Sequence, residues 1–210
     1  MFALPSKTLF KIAALWAPYS CWLMNVLLGV KIKVRGAAHI PNKPCVIAAN
    51  HQTPYDGIIF DNILPRHSYV AKKSIVRIPI FGWLFSLTRP IFIDRKKKKK
   101  AMKQIIRKGI KRMTTGISVI IFPEGARTHN GKIRKYKKGC AVLSWSSGKP
   151  ILPIYHNACA CFSRSGKYIG PGTITIVIGI PIMPTRRTVN EINESLFSWT
   201  KHQELSNRLC

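Results

Sequence analysis

Val46-Ile47-Ala48-Ala49-Asn50-His51-Gln52-Thr53-Pro54-Tyr55-Asp56 passes from a short apolar run into a polar turn that carries a histidine and, five residues on, an aspartate. The run reads as a strand, bounded by residues that favour turns. Working outward, similar runs occur at Lys31-Arg35, Tyr69-Ala71, Ile91-Ile93, Val119-Phe122, Ile151-Tyr155 and Thr173-Ile178, several of them separated by helical patterns. That alternation predicts an α/β fold. The clearest helix is Lys96-Thr114, where Met102, Ile105, Ile106, Ile110 and Met113 form one stripe and lysines and arginines fill much of the remainder.

Composition narrows the function classes. The 46% hydrophobic content excludes a disordered basic tail, which lacks the apolar surface needed to offset chain entropy. With 35 Lys and Arg against 7 Asp and Glu, the net charge of +28 calls for a polyanionic partner, either nucleic acid or an anionic bilayer surface. No phosphate-binding glycine loop, zinc-finger spacing or RNA-recognition signature supports nucleic acid, so the expected partner is the membrane.

A membrane-contacting segment is visible at the start. From Ile12 to Val30 there is no charged residue, Lys7, Lys11, Lys31 and Lys33 flank the stretch, and Trp16, Tyr19 and Trp22 lie within it. Pro18 and Asn25 interrupt it, leaving a spanning helix and an interfacial one both open. The small-residue cleavage site of a signal peptide is missing. The expected organisation is a membrane-associated helical segment over 1–30 and one catalytic domain over 31–210, held at the cytosolic face, which in a bacterium is that of the inner membrane.

The six cysteines, Cys21, Cys45, Cys140, Cys159, Cys161 and Cys210, form no CxxC pair and read as reduced thiols. Cys159 and Cys161 alternate along a strand without a second cluster to complete a metal site, so no metal is expected there.

Acids are scarce enough for their placement to matter. Glu191, Glu194 and Glu204 lie in a helix-like C-terminal tail, which leaves Asp56, Asp61, Asp94 and Glu124. Asp94 and Glu124 end apolar runs and Asp56 lies just past one, at strand ends, where open α/β sheets bind ligands. His51 with Asp56 has the makings of a base and its orienter: a carboxylate fixes one ring nitrogen and leaves the other free to take a proton from a hydroxyl. Alone, the pair also fits a turn with an aspartate capping a helix. The remaining histidines, His39, His67, His129, His156 and His202, lack an Asp at matching distance and read as surface or packing residues. Phe122-Pro123-Glu124-Gly125-Ala126-Arg127-Thr128 and Ile91-Phe92-Ile93-Asp94-Arg95 each place an acid and an arginine after a strand, and the planar guanidinium fork suits phosphate.

Taken together, these blocks resemble the glycerolipid acyltransferases, specifically the 1-acyl-sn-glycerol-3-phosphate acyltransferases. Asn50-His51 with Asp56 is similar to the first block of that family. Ile91 to Arg95, preceded by Lys72, Pro79, Gly82 and Trp83, is similar to the second, Phe122 to Thr128 to the third and Ile151-Leu152-Pro153-Ile154 to the fourth. Lys137-Lys138-Gly139 also fits. The likeness runs from about Val34 to Pro181; Ala126 departs from the usual Thr and Thr128 from the frequent Ser.

The resemblance implies a single domain with a mixed central sheet flanked by helices. It implies His51 as general base, Asp56 as its orienter, Arg95 and Arg127 as phosphate clamp, Glu124 and Gly125 shaping that site, and Asp94 and Pro153 as further substrate contacts. The activity implied is transfer of a fatty acyl group from acyl-CoA or acyl carrier protein to lysophosphatidic acid, without covalent intermediate, metal or cofactor. Other readings are another lysolipid as acceptor, covalent catalysis by Cys45 or Cys140 beside His51, and a non-enzymatic basic binder of membrane or nucleic acid.

Overall fold

The computed structural model describes residues 6–78, 82, 85, 86, 88–128 and 131–207, with 6–14 and 98 described by backbone alone. Pro79, Trp83, His129 and Cys210, and the side chains of Lys7 and Lys11, lie outside the described residues. Each apolar run is a strand: β1 Val30–Arg35, β2 Val46–Ala49, β3 His67–Lys72, β4 Ile91–Ile93, β5 Ser118–Ile121, β6 Ile151–His156 and β7 Gly172–Ile178. They form one sheet in the order β1-β7-β6-β2-β5-β3-β4. The strands from β2 to β6 run parallel, whereas β7 is antiparallel to β6 and parallel to β1, so the sheet is mixed.

Five helices are present among the described residues: α1 Ser6–Leu28, α2 Asp56–Ile63, α3 Lys98–Thr114, α4 Gly139–Ser147 and α5 Val189–Ser206. Because successive side chains of a strand point to opposite faces, the sheet feeds two cores. Ile47 and Ala49 of β2 pack with Cys21 and Met24 of α1 and Ile59 and Phe60 of α2. Val46 and Ala48 pack with Ala101 and Ile105 of α3, Leu143 of α4 and Leu196 of α5. The result is three layers with the central strands covered on both sides.

The basic helix starts at Lys98, two residues later than the sequence pattern implied. Its buried line is Ala101, Ile105, Gly109 and Met113, at fourfold spacing, with Met102, Ile106 and Ile110 at the margin. Gly109 belongs to that line because a Cβ there would lie 2.8 Å from a methyl of Leu143, so a glycine permits α3 and α4 to touch. The C-terminal helix starts with a capping box, Thr188 and Glu191 each accepting from the other's backbone amide. Glu204, at its far end, is buried and receives the Ile133 amide at 3.0 Å and the Lys201 ammonium at 2.7 Å.

The N-terminal segment is helical, with Pro18 inside it. Ala17, Cys21 and Met24 face inward, while Leu15, Trp16, Tyr19, Trp22, Val26 and Leu27 are exposed. No helix among the described residues is long and apolar enough to cross a membrane, so the spanning alternative finds no support. Residues spaced to pack on α2 and β1 take up one side of α1, and only the other side remains apolar and free.

Candidate active site

The site forms where β2, β5 and β6 end. Past Ala49, the Asn50 side chain stands in for a strand residue: its carbonyl accepts the His156 amide at 2.9 Å and its NH2 donates to the His156 carbonyl at 2.9 Å. The ladder to β6 therefore closes on a side chain, and the main chain is released to turn. His51 follows. Its carbonyl is held by Thr128, through the amide at 2.8 Å and the hydroxyl at 3.2 Å, which ties the loop after β2 to the loop after β5. The threonine at this position keeps the hydroxyl that serine would offer.

His51 Nδ1 and Asp56 Oδ2 are 2.7 Å apart. Asp56 is the first residue of α2, and its carboxylate turns back to accept the amides of Gln52 at 2.7 Å and Thr53 at 3.1 Å, and the Thr53 hydroxyl at 2.7 Å. An ionised carboxylate has only acceptors, so Nδ1 carries the hydrogen that faces it and Nε2 is the free nitrogen. Burial tends to raise the Asp56 carboxyl, but the His156 ring, the His51 ring and the Thr53 hydroxyl outweigh it and hold the group below the ordinary carboxylate range. Asp56 is fully enclosed, whereas His51 keeps 23% of its side chain exposed, so only the histidine can be reached. The Phe122 ring stacks on the His51 ring with centroids 4.1 Å apart.

Two histidines differ from the reading of the sequence. His67 bonds Asp61 through Nε2 at 2.8 Å, a pair six residues apart that bridges β3 and α2. His156, fully buried, lies with Nε2 3.6 Å from Asp56 Oδ2 and 2.9 Å from the Asn50 carbonyl. Asn50, Gln52, Thr53 and Thr128 serve the site through bonds to the backbone or to Asp56, roles that residue type and spacing did not announce.

Arg127 belongs to the loop after β5, and Arg95 reaches that loop from the end of β4. Arg95 donates through Nη1 to the Gly125 carbonyl. Arg127 donates through Nη1 to the Arg164 carbonyl at 2.8 Å. Gly125 has φ of 76°, and a Cβ there would come within 2.6 Å of the Lys137 ammonium, which places a third cation over the same loop. Glu124 is buried, and neither carboxyl oxygen makes a hydrogen bond of full geometry among the described residues, although the His51 backbone is near enough to favour the charged form. Burial, with Asp56 and Glu204 adding to it and the His51 backbone and Arg134 opposing, pushes its carboxyl up to about 8.

Two predicted residues stand apart from this group. Asp94 is exposed and accepts the Lys96 amide at 3.0 Å, shaping the turn into α3. Pro153 is buried inside β6, beside Gly179 and opposite Ala48, on the sheet face that carries α3, α4 and α5. Phe122, over His51, packs on the other face. The cysteine alternative also loses its footing. Cys45 and Cys140 are buried, burial pushes the Cys45 thiol up to about 11 and the Cys140 thiol further still, and a thiol held that high is not a ready nucleophile.

A three-layer α/β domain with an enclosed carboxylate behind a reachable imidazole, both at the carboxyl ends of central strands, has the architecture of an α/β enzyme with its site at the strand ends. Residues 31–157 match the family described as Acyltransferase. The chain is 37% identical over 188 residues to the 1-acyl-sn-glycerol-3-phosphate acyltransferase of Pseudomonas aeruginosa, covering 88% of this chain and 73% of that one. It is 29% identical to the protein of the same name from Saccharomyces cerevisiae, covering 86% of this chain and 62% of the relative. The crystal structure of the 1-acyl-sn-glycerophosphate (LPA) acyltransferase PlsC from Thermotoga maritima has the same fold, with a TM-score of 0.79, 22% identity, and coverage of 98% of this chain and 83% of that one. The chain belongs to the acyltransferase family.

Proposed function

We propose that this acyltransferase moves a fatty acyl group from an acyl thioester to the sn-2 hydroxyl of 1-acyl-sn-glycerol 3-phosphate, yielding phosphatidic acid. The observation that carries the reading is the 2.7 Å pairing of His51 with enclosed Asp56, which leaves Nε2 as the one ring nitrogen open to a substrate. Nε2 takes the hydroxyl proton as the oxygen attacks the thioester carbonyl. The tetrahedral intermediate then expels the thiolate, which receives that proton from the imidazolium, and Asp56 stabilises the charge on the ring in between. The relatives' names support lysophosphatidic acid as acceptor. Both coenzyme A and acyl carrier protein present the thioester this chemistry requires.

Arg95 and Arg127 each spend one N–H on a loop carbonyl and retain others for a phosphate dianion, with Lys137 above Gly125. Glu124, largely uncharged near neutrality, does not repel that dianion. Asp94 and Pro153 act on the substrate through the turn into α3 and the course of β6. Residues 1–30 are read as a lipid-contacting segment attached to a catalytic domain of 31–210. The apolar exposed side of α1 and the exposed cations of α3 fit an anionic membrane surface at the cytosolic face.

Purified protein should be assayed with acyl-CoA and acyl carrier protein donors against a panel of lysolipids, with products read by mass spectrometry. Phosphatidic acid should dominate, and His51→Ala should lower its rate by roughly 10² to 10⁴-fold while the protein stays folded. Wild-type turnover by His51→Ala sinks the mechanism, and a preference for another lysolipid redirects the substrate.

A further inference from the structure

His156 is a fully buried imidazole next to the dyad, and the mechanism above makes no use of it. Its surroundings fix its state. Nδ1 lies 3.3 Å from the Ala158 amide, which can only donate, so this nitrogen accepts. Nε2 lies 2.9 Å from the Asn50 carbonyl, which can only accept, so this nitrogen carries the hydrogen. The ring is therefore neutral, in the Nε2–H form. Nε2 is also 3.6 Å from Asp56 Oδ2, close but beyond hydrogen-bond reach of the oxygen that His51 bonds. The edge of Phe60 meets the ring at 80°, and the main chain of His156 is locked to the Asn50 side chain. Among the described residues, the titratable groups facing it are Asp56 and His51. Burial keeps the ring below the ordinary imidazole range, with Asp56 and the Asn50 carbonyl opposing and losing.

From this geometry we infer that His156 is a positioning residue of the reaction, a neutral second imidazole whose Nε2–H, donated to the Asn50 carbonyl, leaves a fixed ring dipole 3.6 Å from Asp56 Oδ2 and so sets how much of the carboxylate's charge His51 feels. This rests on the reading of His51 as the base. Asp56 is fully enclosed, so its donors determine its basicity. Gln52 and Thr53 supply donors from its own loop. His156 supplies the dipole from across the sheet, at the end of β6. Without it, more of the Asp56 charge falls on the His51 ring, the imidazolium is favoured, and the base stays protonated to higher pH. A charged ring in its place would neutralise Asp56 and weaken the base, which is why an enclosed, tightly bonded pocket that keeps His156 neutral suits the task.

His156→Leu and His156→Gln should be compared with wild type and His51→Ala in the acyl-transfer assay across pH. Leucine removes the donor; glutamine can place its NH2 close to the position of Nε2. His156→Leu should move the acid limb of the kcat profile upward by about half a unit to one unit, so that kcat on that limb falls roughly three- to tenfold while the plateau and the KM for either substrate stay within about twofold. His156→Gln should recover most of the rate and the wild-type limb. If His51→Ala is inactive while His156→Leu keeps the wild-type kcat and acid limb, the inference on His156 is overturned and the base assignment stands. If His51→Ala is active, the base assignment falls first. Should His156→Leu not fold, ring ¹⁵N spectra of the wild-type protein decide, with His156 assigned from His156→Gln. A neutral Nε2–H ring from about pH 6 to 8 supports the inference, and an Nδ1–H or charged ring at neutral pH overturns it.

Discussion

The Phe122 ring lies over that of His51, with planes 17° apart and centroids separated by 4.1 Å. One side of the imidazole is thereby covered, and the ring is held in the plane that points Nδ1 at Asp56. An aromatic pair of this kind contributes about 0.5 to 1.5 kcal/mol beyond simple burial. Phe122→Leu keeps much of the volume and loses the flat face, so kcat should fall roughly two- to tenfold while KM changes little. Steady-state kinetics on both substrates check this, and a change confined to KM would assign Phe122 to substrate contact instead.

Arg127 has one guanidinium N–H committed to the Arg164 carbonyl. If its other donors face phosphate, each charged hydrogen bond contributes about 1.5 to 3 kcal/mol, and Arg127→Ala should weaken use of lysophosphatidate by roughly 10- to 150-fold. Arg127→Lys should regain part of the loss, because charge survives without the planar fork. Monoacylglycerol, which lacks the phosphate, supplies the comparison. Equal losses with both acceptors mean that Arg127 supports the loop through Arg164 and does not clamp phosphate.

Glu124 makes stability depend on pH with a definite sign. Its folded value, about 8, is above the ordinary 4.5, so the folded protein keeps a proton that the unfolded chain releases. The resulting contribution is complete below about pH 4.5 and is lost as pH rises through about 8. Asp56 and His156, both held below their ordinary values, contribute in the opposite sense: their share is present at higher pH and is lost on acidification. Glu124→Gln should therefore gain on wild type as pH rises from about 5 to 9, by on the order of 3 kcal/mol. Urea unfolding at several pH values measures it; parallel curves for the two proteins would show that Glu124 is ionised throughout.

The outer side of α1 offers a test of lipid contact that spares the fold, because Trp16 and Trp22 are 61% and 55% exposed. Trp16→Ser with Trp22→Ser should lower partitioning onto anionic vesicles by about tenfold or more. Replacing Lys99, Lys103 and Lys108 with Gln should remove a salt-sensitive part, at about 1 kcal/mol per lysine. Vesicle sedimentation at low and high salt separates the two. Unchanged sedimentation of the tryptophan variant would place the contact elsewhere.

The strands were legible because β-branched runs bounded by turns need no distant information. The amphipathic basic helix was legible for a similar reason, although its inner line was displaced by Gly109, whose value lies in the Leu143 it touches across 34 positions of chain. α2 and α4 are short, and Ile59, Phe60, Ala141 and Leu143 on them are buried, so neither displays a long polar face to set a period. At the site, His51 and Asp56 were visible because both members of the pair lie in one loop. His156 was not, since its bonds to Asn50 span 106 positions and exist only once β2 and β6 are neighbours. His67 and Asp61 escaped for a related reason: a strand start and a helix end bring together residues whose spacing matches no simple repeat.

The side-chain closure of the β2 ladder at Asn50 also makes the chemistry a question of odd and even. Ile47 and Ala49 point to the layer of α1 and α2, where Phe122 covers His51, and Val46 and Ala48 point to the layer of α3, α4 and α5. Counting along the pleat, the histidine emerges on the face that carries α1 and α2 because an odd-numbered residue leaves the strand there. A single residue inserted or deleted between Val46 and Asn50 would break the Asn50 bridge to His156 or turn the strand over to keep it. In the second case, the imidazole would emerge on the side of the lysine-rich helix, with its carboxylate left behind.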